Sequence, residues 1–82
     1  MIMVDIYMPA LDESFDFMLD ENADLEVVIL EVTEMIARKT KSEIKPGDDG
    51  FVLYYTDKRM PLPADRTLYE SGVRDADRLI LV

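Results

Sequence analysis

The last fifteen residues of the chain, which carry the strongest structural signal, are Leu68-Tyr69-Glu70-Ser71-Gly72-Val73-Arg74-Asp75-Ala76-Asp77-Arg78-Leu79-Ile80-Leu81-Val82. Leu68 opens a short helical turn, Gly72 allows the chain to reverse, and Val73 returns toward a core. Residues 75–77 then form a polar turn, and residues 78–82 form an apolar strand. The stretch therefore predicts a tight reversal that leads into a buried closing strand.

At the other end of the chain, residues 2–8 and 14–20 are predicted to form a hairpin. Every second residue from Ile2 to Met8 is apolar, which gives this segment one buried face and one exposed face. In the second segment Phe15 and Phe17 share one face and polar residues lie on the other. The turn between them runs from Pro9 to residue 13, and two alternating segments around a short turn predict an antiparallel pair.

Between the hairpin and the closing strand, residues 24–41 carry the period of an α-helix. The apolar positions at helical spacing are Leu25, Val28, Ile29, Val32 and Ile36. Asn22 or Asp24 is placed to cap the start of this helix. Acidic residues crowd its first turns and basic residues its last, which suits the helix dipole.

The remaining segments predict a loop, two strands and a short turn. Residues 45–50 have loop composition, residues 51–56 have strand composition, and Met60 to Leu62 form a short strand that Pro61 and Pro63 confine to a sheet edge. A helical turn starts at Asp65. The element order is ββαββ, a turn, then β, without an internal repeat. This order predicts an α+β protein with a single domain over residues 1–82.

Composition and charge exclude several classes of function. The chain has 82 residues, no cysteine, no histidine and a net charge of −9. Residues 1–37 contain ten acids and no base, whereas residues 38–82 contain nine bases and eight acids. Such a charge disfavours binding to nucleic acids and anionic membranes and favours a basic protein partner. The absence of a signal-peptide pattern and of a membrane-length apolar run predicts a cytoplasmic protein without membrane insertion.

No set of residues forms a convincing catalytic site. Ser14, Ser42 and Ser71 have no histidine to activate them. The carboxylate pairs Asp12/Glu13 and Asp48/Asp49 lie in predicted loops, where solvated surface acids are the ordinary explanation. The tyrosines of residues 54, 55 and 69 lack interleaved basic residues, so base stacking is not expected either. We expect neither catalysis nor a cofactor.

One segment partly matches a calcium-binding pattern. Asp20, Asn22, Asp24 and Glu31 occupy positions 1, 3, 5 and 12 of an EF-hand-like loop. The sixth position of such a loop requires glycine for a sharp turn, and here it is Leu25. The residues after Asp24 also follow the helical period, so they cannot wrap around a cation. The sequence therefore predicts no calcium site.

The order of elements and the residues at the end of the chain resemble the ubiquitin superfamily. The resemblance rests on Leu62, Asp65-Arg66-Thr67-Leu68, Gly72-Val73 and Asp77-Arg78-Leu79-Ile80-Leu81. Within the superfamily, residues 68–81 are most similar to the YukD/EsaB-like proteins, which are small bacterial proteins associated with type VII (WXG100) secretion systems. The resemblance implies a β-grasp fold, in which a mixed sheet of strand order 2-1-5-3-4 packs on one helix and the last strand is central.

This fold implies a core built from the apolar faces of all its elements. The predicted core residues are Val4, Ile6, Phe15, Phe17, Val28, Ile29, Val32, Ile36, Leu53, Leu62, Leu68, Val73, Leu79 and Leu81.

The resemblance also implies a role in non-covalent docking. Ubiquitin is recognised through an apolar patch on the open face of its sheet. Matching the strands places Tyr54 and Ile80 there, with Leu11 or Val82 beside them, and Tyr7 and Met3 on the first strand extend the same face. Asp5 would interrupt this surface.

The predicted function is a non-catalytic adaptor of a type VII secretion system. The same face could instead pair two copies of the chain. Two alternatives remain: an interaction domain of another complex, and a modifier or sulfur-carrier relative that has lost its Gly-Gly tail. Because the chain stops at Val82 without such a tail, we expect no covalent adducts when the protein is incubated with cell extract and ATP.

Overall fold

A computed structural model describes residues 1–46 and 50–82 of the chain. In order, it contains β1 (Ile2–Met8), β2 (Glu13–Leu19), α1 (Leu25–Thr40), β3 (Leu53–Tyr55), β4 (Met60–Pro61) and β5 (Arg78–Leu81). The predicted carboxylate pair Asp48/Asp49 lies outside the described residues. The strand predicted over residues 51–56 covers only Leu53–Tyr55, because residues 51 and 52 precede it and a turn begins at Thr56.

The five strands form one mixed sheet in the order β2-β1-β5-β3-β4, as predicted. β1 pairs antiparallel with β2 and parallel with β5. β3 pairs antiparallel with β5 on one side and with β4 on the other. The closing strand is therefore central, with α1 packed against one face of the sheet. We call the opposite face of the sheet the open face.

The core lies between α1 and the sheet, and it contains every predicted core residue except Ile29. That side chain is only partly buried, because it lies at the side of the helix. There it lines a groove of about 270 Å³ with Leu30, Phe51 and Ala64. The core also contains four side chains that were not predicted to be buried: Met8, Leu19, Leu25 and Tyr55.

The first backbone N–H groups of α1 donate to backbone carbonyl oxygens and not to a capping side chain. Asp24 occupies the N-cap position, but its side chain makes no capping hydrogen bond. Instead, the N–H groups of Leu25 and Glu26 donate to the carbonyl oxygens of Arg66 (2.8 Å) and Ala64 (3.2 Å). The expected side-chain cap was therefore wrong, since the loop before Leu68 supplies the acceptors that the first turn needs.

The turn over residues 67–73 satisfies most of its own polar groups. The backbone N–H of Glu70 donates to Thr67 Oγ1 (3.0 Å), and the N–H of Thr67 donates to Glu70 Oε1 (3.1 Å), as in a capping box. At its end Val73 N–H donates to Leu68 O (3.0 Å), and Gly72 has a φ of +83°, which closes a Schellman motif. The predicted helical turn is thus a single closed turn.

A buried hydroxyl joins the middle of the sheet to the segment before β5. The ring of Tyr55 is buried, and its hydroxyl donates to a carboxylate oxygen of Asp77. The hydrogen bond to Asp77 is the main reason that the pKa of Tyr55 rises to about 12. Burial acts to raise the pKa of Asp77, but hydrogen bonds from Tyr55 and from the Arg74 N–H outweigh it and lower that pKa.

Within the described ranges, no helix has both the length and the apolar character needed to cross a membrane.

Candidate docking face

Three half-buried side chains form a row across the centre of the open face. Tyr7, Ile80 and Tyr54 lie on the adjacent strands β1, β5 and β3, and Ile80 pairs directly with both tyrosines. Residues at matching positions of paired strands have side chains on the same face within contact distance. The predicted residues Tyr54, Ile80 and Tyr7 are therefore brought together as one apolar row. At its β4 end, Pro61 pairs with Tyr54.

A second apolar pair extends this row toward the end of β5. The backbones of Val52 and Val82 exchange two hydrogen bonds of 2.8 and 3.0 Å, so the pairing of β3 with β5 continues for one residue before β3 and one residue after β5. Because side chains alternate along a strand, both valines lie on the same face as Tyr54 and Ile80. The predicted residue Val82 is 58% exposed. Val52 was not predicted, although alternation back from Leu53 could have identified it.

A charged row formed by Asp5 of β1 and Arg78 of β5 borders the apolar row, on the side away from Val52 and Val82. Arg78 Nε lies 3.0 Å from Asp5 Oδ2, and Arg78 Nη2 donates to Ser14 Oγ at 3.3 Å. The Arg78 guanidinium also lies 5.9 Å from the centre of the Tyr7 ring, within the range of a cation–π contact. Asp5 thus lies where an interruption was predicted, but its charge is compensated by Arg78.

The remaining predicted residues, Met3 and Leu11, lie apart from the apolar row. Met3 pairs with Met18 beyond the charged row, and their side chains are 45% and 52% exposed. These two methionines form a separate apolar corner of the open face. Leu11 lies in the turn after β1, where it is partly buried and packs against the core.

Tyr7 has a polar anchor at its outer end. Its hydroxyl donates to Asp12 Oδ1 at 2.8 Å, and Asp12 has a φ of +51° in the turn between β1 and β2. This hydrogen bond is the main reason that the pKa of Tyr7 is raised. The contact holds the ring in place on the open face, so that its surface is presented in one orientation.

The EF-hand-like residues do not surround a common point. Leu25 is the first residue of α1 and is fully buried, and Glu31 lies more than one turn further along the helix. Among residues 1–46 and 50–82, no three carboxylates lie close enough together to hold a metal ion. The geometry instead offers a mixed apolar and charged surface, which can contact another protein.

Comparison with known proteins identifies the family. The family model "WXG100 protein secretion system (Wss), protein YukD" matches residues 1–81. No curated protein sequence matches the chain.

The similar solved structures include ubiquitin-like domains of secretion proteins. The EccD5 ubiquitin-like domain from Mycobacterium xenopi is 26% identical, with a TM-score of 0.79 over 99% of this chain and 91% of that one. The ubiquitin-like domain of EccD1 from the Mycobacterium tuberculosis type VII secretion system is 17% identical, with a TM-score of 0.73 over 100% and 99% of the two chains. A chain of the toluene 4-monooxygenase HD complex is 16% identical, with a TM-score of 0.78 over 99% and 95%. The last two likenesses show the fold alone. Together with the family match, the fold leads to one conclusion: the chain belongs to the YukD family of the WXG100 protein secretion system, as a ubiquitin-like, secretion-associated domain.

Proposed function

We propose that this protein is a non-catalytic adaptor of a bacterial type VII secretion system that binds a protein partner non-covalently in the cytoplasm. The family match and the EccD5 likeness support the secretion context. The chain has neither histidine nor cysteine, so the commonest general base and the thiol nucleophile are missing from it. Docking is the role that the remaining chemistry suits best.

The observation that carries this proposal is the contiguous row of Tyr7, Ile80 and Tyr54 on the open face. Val52 and Val82 make the apolar area continuous toward the end of β5. Contiguity distinguishes a binding patch from apolar residues that are scattered singly over a surface. Tyrosine suits such a patch because it buries a large area at low entropic cost and keeps a polar tip.

The charge of the protein favours a basic partner. The net charge is −9, and the ten acids of residues 1–37 include Asp16, which lies on the open face opposite Asp5, and Asp12, which accepts the hydrogen bond from the Tyr7 hydroxyl. A negative field attracts a basic surface and speeds encounter, an effect that salt weakens. It also opposes pairing of two copies through the same face, although an isologous dimer remains an outcome of the test below.

The test is the double substitution Tyr54→Ser with Ile80→Lys. Neither side chain belongs to the core, so the folded structure should be kept. Loss of these two central contacts should weaken partner binding by about thirtyfold or more, since one hot-spot side chain contributes about 2 kcal/mol or more and about 1.4 kcal/mol is a factor of ten. The measurement is co-purification of the tagged protein with type VII secretion components from its native host, followed by a binding titration with the captured partner.

A matched control makes the same chemical changes away from the open face. Tyr69→Ser with Leu30→Lys alters side chains that are 70% and 61% exposed, in the 67–73 turn and on α1. This control should retain full binding. If partner capture and self-association both survive the open-face double substitution unchanged, the open face is not the binding surface.

A further inference from the structure

The two edges of the sheet are protected very differently. At one edge, β4 is two residues long and contains Pro61, and short strands with proline are poor templates for further pairing. At the other edge, β2 runs for seven residues from Glu13 to Leu19 and contains no proline, glycine or lysine. All seven residues pair with β1 in an unbroken register, so no bulge twists this edge away. We call this unprotected side the β2 edge.

The structure determines which backbone groups the β2 edge presents. The N–H of Asp5 donates to Asp77 O (3.0 Å), and the N–H of Ala76 donates to Met3 O (2.7 Å). The odd-numbered residues of β1 therefore point their backbone N–H and C=O groups toward the β5 side. The even residues of β1 therefore point toward β2, where they face the odd residues of that strand. Consequently Ser14, Asp16 and Met18 direct their N–H and C=O groups outward.

Apolar side chains lie next to these outward groups on the α1 side. Phe15 and Phe17 are 7% and 8% exposed, which makes them the least buried members of the core. Their ring centres are 6.3 Å apart, and Lys39 Nζ of α1 lies 5.8 Å from the centre of the Phe15 ring. A strand added at the β2 edge could cover both rings with side chains that point toward the helix side.

The negative charge of the β2 edge favours an added strand that carries basic residues. Glu13 and Asp16 are exposed, and neither forms an ion pair in the part of the chain that the structure describes. The β2 edge of a second copy of the chain is a poor partner, because each copy carries a charge of −9. A two-fold antiparallel pairing centred on Asp16 would also place the two Asp16 carboxylates directly opposite each other, which is destabilising. A strand with a basic residue opposite Asp16 would form a favourable cross-strand pair instead.

We propose that the β2 edge binds an extended segment of a partner protein, in which basic and apolar residues alternate, as a sixth strand of the sheet. A basic residue of the segment would face Asp16 on the open-face side. Its apolar neighbours would cover Phe15 and Phe17 on the α1 side, because side chains alternate along a strand. Backbone hydrogen bonds to Ser14, Asp16 and Met18 would supply affinity, and the alternation would supply specificity. This surface is separate from the apolar row of the open face.

The test uses a synthetic peptide of alternating valine and lysine, as long as β2 and capped at both ends. A peptide of the same composition, with its valines and lysines in separate blocks, controls for charge alone. Amide hydrogen exchange followed by NMR should show slower exchange at Ser14, Asp16 and Met18 with the alternating peptide only. Equal binding of the block peptide, or protection that is absent from these three amides, would overturn the proposal.

Two substitutions probe the charge and the backbone separately. Asp16→Lys should weaken binding of the valine–lysine peptide by about tenfold, since the cross-strand pair at position 16 changes from opposite charges to like charges. The same substitution should allow an alternating valine–glutamate peptide to bind, because its glutamate would face the new lysine. Met18→Pro removes an outward N–H but no bond to β1, and it should abolish binding, whereas Met18→Val should not. Circular dichroism checks the folding of each variant, and the exchange pattern of the unsubstituted protein decides the proposal if a variant fails to fold.

The Tyr54→Ser, Ile80→Lys protein should bind the alternating peptide as the unsubstituted protein does. If that double substitution abolished peptide binding, the peptide would be using the open face and the β2 edge proposal would be wrong.

Discussion

Replacement of Leu81 by alanine is expected to lower the free energy of unfolding by about 2–5 kcal/mol, the usual range for a buried leucine. Leu81 is 1% exposed and lies on the central strand β5, where it pairs with Leu53, which is also fully buried. The alanine would leave a cavity between the sheet and α1 that neighbouring strands cannot close without breaking their pairing. Urea unfolding followed by circular dichroism measures the effect.

Ile80→Ala is the matched control for this prediction. Ile80 is the preceding residue on the same strand, but its side chain is half-buried on the open face. Its truncation should cost about 1 kcal/mol or less, as is usual outside the core. Similar losses for Leu81→Ala and Ile80→Ala would contradict the placement of the core on one face of β5.

The second large effect is expected from Tyr55→Phe. This change keeps the ring in the core and removes the hydroxyl that donates to Asp77 and lies 3.4 Å from Gly72 O. We expect a loss of about 1.5–3 kcal/mol in the free energy of unfolding, because the acceptor is a charged group. Tyr54→Phe is the control, since that tyrosine lies on the open face, and it should change stability little.

The same hydroxyl makes stability depend on pH at the alkaline end. The pKa of Tyr55 is raised from 10.0 to about 12 by folding, so its contribution is fully present below pH 10 and is lost as the pH rises toward 12. The pKa of Asp77 is lowered from 3.8, so its contribution is present above that pH and is lost as the pH falls below it.

Thermal unfolding from acid to alkaline pH tests both directions. The melting temperature of the unsubstituted protein should fall at both ends of the range. Tyr55→Phe should flatten the decline between pH 10 and 12 and weaken the acid decline. An unchanged alkaline decline in Tyr55→Phe would show that this hydrogen bond is not its cause.

Much of the fold could be predicted from patterns of neighbouring residues. The period of two placed Val4 and Ile6 on the buried face of β1, and the helical period placed Val28 and Val32 in the core. The same alternation, continued from Leu53, places Tyr55 in the core, so the burial of Tyr55 was predictable from the sequence. The partial burial of Ile29 was not predictable from local patterns, because it depends on what packs against the side of the helix.

The candidate docking face was predictable in its centre but not at its borders. Tyr54, Ile80 and Tyr7 form a row because alternation selects their face and the strand order makes them neighbours. Leu11 packs against the core instead, because the turn conformation rather than alternation decides its direction. The contacts of Arg78 on this face join residues that are far apart in the sequence, and local patterns do not show them.

The secondary-structure elements, the face that each buries and the negative charge follow from periodicity and composition, which are local properties of the chain. The identity of the open edge strand, the backbone groups that point outward from it and the contacts between distant side chains depend on how the strands pair in three dimensions. The parallel pairing of β1 with β5 brings Asp5 to Arg78, and the neighbouring pairing of β3 with β5 brings Tyr55 to Asp77. These contacts form only when distant parts of the chain pair, so the order of strands in the sheet is the physical basis of both the Tyr55–Asp77 hydrogen bond and the exposed β2 edge.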